Sequence, residues 1–294
     1  MVSREPRTDS GDEAAQVAER PRERASASAR SLLLTVLGEF VLPRGGQVWT
    51  GTVVEALGAL GVEEKSARQA LSRAAAEGLL EPVRYGRKVR WNLTSAGNRL
   101  LREGTERIYR FMREPHDWDG RWLVLTAAVP ETQRQLRHRL RTRLTWLGLG
   151  SPSPGLWVTP DAAKQAAVRQ VIRELGLDDR AYAWTGPSAD IGDTAKLIAD
   201  AWDLGDMEKR YLGFIEQFER LTVAADREAF VNKVLLIQEW RRFPFLDPDL
   251  SAELLDHDWP GPRAAAVFHN LRNRWHRRAQ AEWDRMDTDA AARH

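Results

Sequence analysis

The segment SARQALSRAAAEGLLEPVRYGRKVRW, Ser66 to Trp91, changes its hydrophobic period once, and that change limits the folds open to the chain. Placed at the helical angle of about 100°, residues Ala67, Ala70, Leu71, Ala74 and Ala75 fall on one side. Lys65, Arg68, Gln69, Ser72 and Arg73 fall on the other. Gly78 then stops the helix, and Val89, Trp91 and Leu93 alternate with Arg90 and Asn92 at the period of a half-buried strand. Gly86 supplies the tight turn of a hairpin.

Upstream, TGTVVEALGALGV predicts a preceding helix with Thr50 as N-cap, apolar Val53, Val54, Leu57 and Leu60 at helical spacing, and Gly61 as its stop. Helix, short turn, amphipathic helix and basic hairpin is the order of a winged helix-turn-helix, in which the second helix reads DNA. A charged outer stripe occurs on any surface helix. Here, however, its residue types suit base edges: Arg bonds guanine bidentately, Gln bonds adenine, and Ser serves either. The expected contacts with the major groove and its edges are Thr50, Lys65, Arg68, Gln69, Ser72 and Arg73, with Arg84, Arg87, Lys88 and Arg90 on the adjacent phosphates.

Net charge alone, +2 over 294 residues, says little about a partner. Its distribution says more, because Arg30 to Arg110 carries 13 basic and 8 acidic residues while Phe111 to His294 carries 26 and 28. Positive charge is thus concentrated where nucleic acid is expected.

The remaining chain divides by pattern. Residues 1–29 mix Arg, Glu, Asp and Ser without an apolar core and are expected to be a disordered tail. The DNA-binding domain, with a linker helix stopped near Pro115, is placed at 30–112. WDGRWLVLTAAVP, the Leu-spaced helix ETQRQLRHRLRTRLTWLGLG, GLWVTP, DAAKQAAVRQVIRELGL and RAYAWTG alternate strand and helix, predicting a ferredoxin-like α+β domain over 113–190. GLGSPSPG between the first helix and second strand is read as loop. Residues 191–294 read as a helical domain, with helices starting at Asp193, Asp206, Asp226 and Pro262 and an ordered loop at PFLDPDLSAELLDHDWPGP. The fold class is α+β.

With LLLTVLGEFVLPRGGQVWTG and the segment that follows it, WDGRWLVLTAAVP, LTWLGLGSPSPGLWVTP and RRFPFLDPDLSAELLDHDWPGPRAA in this order, the chain resembles the PaaX family of bacterial regulators of phenylacetic acid and related aromatic catabolism. The resemblance covers nearly everything after the tail. It implies a winged-helix domain, a middle domain similar to CRISPR-associated spacer-acquisition nucleases, and a helical carboxy-terminal domain. It further implies a dimeric repressor of operator DNA, released by an aryl-CoA thioester such as phenylacetyl-CoA. The sequence departs from the family pattern at Ser251 and Asp256, where proline is expected.

Within the middle domain, Arg137 and Arg141 belong to an arginine-rich segment suited to phosphates, and Trp146, Trp157 and Trp184 are candidates to stack an aryl or adenine ring. Solvated arginines and core tryptophans are the plainer reading of each. A second cluster, Arg272, Arg274, Arg277 and Arg278, is assigned to a surface or homodimer role. The chain has no Cys, which excludes disulfides, a catalytic thiol and thiolate zinc sites. Its longest apolar run, SLLLTVLGEFVL, is too short to span a bilayer, so a cytoplasmic protein without membrane contact is expected. His116, Asp117, Asp119 and the loop residue His257 between Asp256 and Asp258 are oxygen and imidazole groups, but no metal site, catalytic residue or cofactor is assigned to them. The rival reading is a metal-dependent nucleic-acid hydrolase built on the middle domain. Against it, RWLVLTAAVP has no acid at the end of its strand.

Overall fold

A computed structural model describes residues 28–113, 117–189 and 191–292; Pro115, His116 and the expected tail up to residue 27 lie outside them, while Ser28 and Ala29, also assigned to the tail, cap and open the first helix. The chain forms two compact units, one of residues 1–98 with 285–294, the other of residues 99–284.

The first unit opens with α1 (Ala29–Val36), capped by the Ser28 hydroxyl and continued by a wider turn over Leu37–Val41. Strand β1 (Gln47–Trp49), helix α2 (Thr50–Ala59) and helix α3 (Glu64–Ala76) follow. Strands β2 (Leu80–Tyr85) and β3 (Lys88–Leu93) make the hairpin. Its register pairs Tyr85 with Lys88, so the turn holds two residues, and Gly86 takes φ 61° there at no steric cost. The sheet order is β1-β3-β2, with β1 antiparallel to β3. The expected sequence of elements is present, with β1 added and one correction: Trp49, not Thr50, is the cap residue of α2, and Thr50 opens the helix itself. Leu33, Val36 and Leu37 of the first helical segment, Val53 and Leu57 of α2, and Ala67, Ala70, Leu71 and Ala74 of α3 are buried together. Alanines on the inner side of α3 leave room for bulkier neighbours at this core.

Helix α4 (Ser95–Arg110) crosses from the first unit into the second. It ends ahead of Pro115, and Met112 at φ 52° leaves helical geometry. Strand β4 (Arg121–Ala127), α5 (Arg134–Trp146), β5 (Gly150–Ser153), β6 (Leu156–Thr159), α6 (Gln165–Glu174) and β7 (Ala181–Pro187) form an antiparallel sheet in the order β5-β6-β4-β7. Residues 150–153, read as loop, are the edge strand β5, and the β5–β6 register carries an irregularity. Leu123 and Leu125 pack with Leu140 and Leu144 of α5 and Ile172 of α6. Trp122 instead packs with Val158, Ile198 and Leu250 on the other side. Covering both faces is why RWLVLTA reads as an unbroken apolar run rather than an alternating one.

Helices α7 (Thr194–Ala201), α8 (Leu204–Phe218), α9 (Asp226–Trp240), the single turn α10 (Phe243–Leu246) and α11 (Gly261–Ala292) complete the chain. Asp193 caps α7 as its sequence suggests, while α8 starts two residues before Asp206 with Asp203 as cap. Trp240 lies fully buried, stacked at 4.7 Å on Phe268, with its indole N–H donated to the Ile108 carbonyl at 3.1 Å. The Pro-rich loop is partly buried: it begins within α10, Asp247, Leu250 and Ser251 are inside, and Glu253, Asp256, His257 and Asp258 are exposed. Of the second arginine cluster, Arg278 is taken up within the chain, bridging Asp226 and the Val223 and Ala224 carbonyls.

Asp247 accepts from the Tyr211 hydroxyl at 2.6 Å and from the Asp249 amide at 2.6 Å. Burial nevertheless outweighs these bonds and pushes its carboxyl up to about 6; burial also pushes the Tyr211 phenol up. Between the ordinary carboxylate range and about 6, the folded chain therefore binds more protons here than the unfolded one, and stability falls as pH rises. This contribution is fully present below the unfolded pKa and gone above about pH 6. Asp247→Asn keeps the group neutral. Its stability relative to the parent should improve by roughly 3 kcal/mol between pH 4 and 7 in denaturant titrations. A pH-independent difference would show that Asp247 is ionised throughout.

Candidate nucleic-acid interface

The alanine-and-leucine stripe of α3 turns its opposite side to solvent. Lys65, Arg68, Gln69, Ser72 and Arg73 are all exposed there, as the helical spacing requires. Arg68 is held by Glu64 one turn earlier, Nε to Oε1 at 2.8 Å, and the Ser72 hydroxyl donates to the Arg68 carbonyl at 3.1 Å. Among the described residues, Lys65, Gln69 and Arg73 make no side-chain bond to the rest of the chain. They are therefore available to an external partner without first breaking one. At the end of α3, Arg30 grips Glu77 through a forked pair of bonds at 3.1 and 2.6 Å, and that guanidinium holds the Glu77 carboxyl below its usual range.

The hairpin places its four cations in two settings. Arg84 and Arg87 are exposed at the tip without an intramolecular partner among the described residues. Arg90 lies half-buried with its guanidinium 5.2 Å from the Trp49 ring centroid, and Lys88 donates to the Ala291 carbonyl. Thr50 is likewise committed. Its hydroxyl donates to the Val89 carbonyl at 3.1 Å and accepts the Trp91 indole N–H at 2.9 Å, joining the start of α2 to the central strand.

In the second unit, a cleft of about 860 Å³ is lined by Arg134, Arg137, His138 and Arg141 of α5, with Trp157 and Arg180. Arg137 donates to the Glu131 carbonyl, while Arg134 and Arg141 make no ion pair among the described residues. Glu131 also lines the cleft and the Asp179 carboxylate lies 3.7 Å from Arg180, but the guanidiniums outnumber them and the excess positive charge favours an anion. Arg180, from the approach to β7, was not foreseen, because it stands far from the arginine-rich segment in sequence. The three candidate tryptophans are not brought together. Trp157 lines this cleft and is 5% exposed. Trp146 lines another with Phe245, 4.7 Å between ring centroids, and with Arg107. Trp184 stacks on Tyr182 at 6.4 Å in the exposed strand β7 and lines neither. Among the described residues, no three His, Asp or Glu side chains are grouped to hold a metal ion.

Three family models match in succession: PaaX-like protein over residues 28–97, PaaX protein central Cas2-like domain over 115–198, and PaaX-like protein C-terminal domain over 202–285. The chain is 31% identical over 258 residues to the transcriptional repressor PaaX of Escherichia coli (strain K12), covering 84% of this chain and 80% of that one. Among solved structures it resembles the uncharacterized protein Rv0674 from Mycobacterium tuberculosis, with TM-score 0.63 and 23% identity over 87% of this chain and 99% of the other. The latter likeness is one of fold.

The Thr50 bonds generate a stability prediction. Thr50→Val leaves the half-buried Trp91 indole N–H without its acceptor and should cost about 1–2 kcal/mol in denaturant unfolding. Parent-like stability would mean that the indole is satisfied by water.

Proposed function

Because the chain belongs to the PaaX family, we propose that it is a transcriptional repressor that binds operator DNA through its first unit and is released by an acyl-CoA effector. The family and the repressor relative point to regulation and not to an enzyme. In this reading the first unit is a winged helix-turn-helix with α3 as reader. The observation that carries it is the exposed outer side of α3, where Lys65, Gln69 and Arg73 have no intramolecular partner among the described residues, together with the exposed arginines of the hairpin tip. Lys65, Arg68, Gln69, Ser72 and Arg73 face base edges, and Arg84 and Arg87 anchor on phosphate. Thr50 and Arg90 support that surface from within.

The middle of the chain fits a ferredoxin-like domain, since its β-α-β-β-α-β order and β5-β6-β4-β7 sheet are those of that arrangement. By sequence pattern the domains divide at 30–112, 113–190 and 191–294, but the fold groups the end of the last one, from Arg285, with the first unit. The cleft beside α5 supports the effector assignment: Arg137 and Arg141 suit the phosphates of a CoA moiety, and phenylacetyl-CoA is the thioester expected from the family. Genes of aromatic catabolism are the matching target. No described helix is long and apolar enough to cross a membrane, and a cytoplasmic homodimer acting on inverted half-sites, centres about 10 base pairs or a multiple apart, fits a two-fold regulator.

Two measurements test this. Arg73→Ala should cost on the order of 1–3 kcal/mol at the operator and flatten discrimination at one base position. Arg87→Ala should instead weaken operator and scrambled duplexes alike and lower the salt slope by about one unit. Identical sequence-blind losses from both would remove α3 as reader.

For the effector, CoA thioesters and the corresponding free aromatic acids are added to the protein bound on its own upstream DNA. Release by the thioester alone is the expected result. Release by the free acid alone would overturn the assignment.

A further inference from the structure

The first unit contains a segment from the far end of the sequence: Arg285–His294 belongs with residues 1–98. The described end of α11 meets α2 and the hairpin at four points. The fully buried Thr52 hydroxyl donates to Asp287 at 2.8 Å. Arg285 bridges Glu55 of α2 and Asp289 of its own helix, both at 2.8 Å. Ala290 sits so close to Gly51 that a Cβ added there would lie 3.1 Å from its own. Lys88, from the hairpin, donates to the Ala291 carbonyl, and its ammonium lies 5.8 Å from the Trp49 ring centroid.

These contacts place a negative helix end against groups that otherwise suit phosphate. The last carbonyls of a helix carry partial negative charge and attract a cation, here Lys88. The first turn of α2, with no side chain capping it, has the opposite polarity and receives Asp287 nearby. In helix-turn-helix proteins the first helix of the pair crosses the DNA backbone, and wing cations lie along phosphates. Met286 is fully buried and holds the body of this segment in place, whereas Ala291 and Ala292 are exposed. Ala290 in the same turn is buried, so the part that can yield is its exposed end, Ala291 and Ala292.

We propose that the last turn of α11 competes with DNA phosphate for Lys88, so that nucleic-acid binding is restrained from within the chain until the turn is displaced. The proposal rests on the DNA-binding reading of the first unit. Full phosphate charge outcompetes a helix-end carbonyl for an ammonium, but the exchange subtracts from the affinity that an unoccupied Lys88 would supply. Arg84 and Arg87 need no such exchange.

Ala291→Gly with Ala292→Gly frays the last turn without altering a buried side chain. Titrated with random-sequence duplex DNA at low salt, this variant should bind roughly threefold more tightly than the parent. In a Lys88→Ala background the same two substitutions should produce no gain. Amide hydrogen exchange supplies a second readout: adding duplex to the parent should accelerate exchange over residues 288–292 while Met286 stays protected. Unchanged or weaker binding by the glycine variant, a gain that survives Lys88→Ala, or slower exchange of the last turn in the complex would each overturn the competition. Those results, with a parent that binds duplex, leave the DNA-binding reading intact. A parent that fails to bind any duplex at low salt defeats both.

Discussion

The buried side of α3 governs what the first unit can present. Four residues, Ala67, Ala70, Leu71 and Ala74, are inside, and three of them have a single methyl to bury. Little apolar area per residue is removed from water on this helix, so its position depends on close approach to the larger Leu33, Val36, Val53 and Leu57. A helix rotated about its axis would drive arginine into that core, at a desolvation cost far above what alanine burial returns. The outward set of Lys65, Arg68, Gln69, Ser72 and Arg73 thus follows from the inward one. Thr50 performs the matching task for the hairpin, joining the start of α2 to both Val89 and Trp91 on the strand between β1 and β2.

Charge is treated differently in the two units. On the outer face of α3 and at the hairpin tip, cations stand in water, where repulsion is screened and a polyanion can approach. In the cleft beside α5, Arg134, Arg137 and Arg141 converge on a concave wall with apolar Leu140 and Trp157 behind them. Concavity raises the value of each guanidinium for a small phosphate-bearing ligand, because field lines are focused and bidentate geometry becomes possible. Arg143, on the same helix, is instead paired with Glu174 of α6 and tightens the domain. Neighbouring arginines in one run therefore divide between cleft-lining and ion-paired positions by the roughly 100° step of the helix.

Elements whose signal is local were legible before the structure. Helix α3 and the β2–β3 hairpin announce themselves by period and by Gly78 and Gly86, and α7 by its capping Asp193. Strands β1 and β5 were not legible. Each is three or four residues long, and each exists through pairing, β1 with β3 and β5 with β6. GSPS in β5 has neither apolar alternation nor β-branching to mark it. The buried loop around Asp247 was read as ordered, but the short helix α10 within it owes its place to packing of Phe243 on Tyr211, 4.4 Å away.

The sequence by itself determined which residues α3 turns outward, where the hairpin turns, and the order of the longer helices and strands, since these depend on periods and stop residues within a few turns of chain. Tertiary structure alone decided that Arg180 joins the α5 arginines, that Trp146, Trp157 and Trp184 go to separate places, and that Lys88 is held by Ala291. Lys88 and Ala291 stand 203 positions apart. No periodicity reaches that far, because contacts at such separation are selected by the fit of whole surfaces rather than by the local geometry of the backbone.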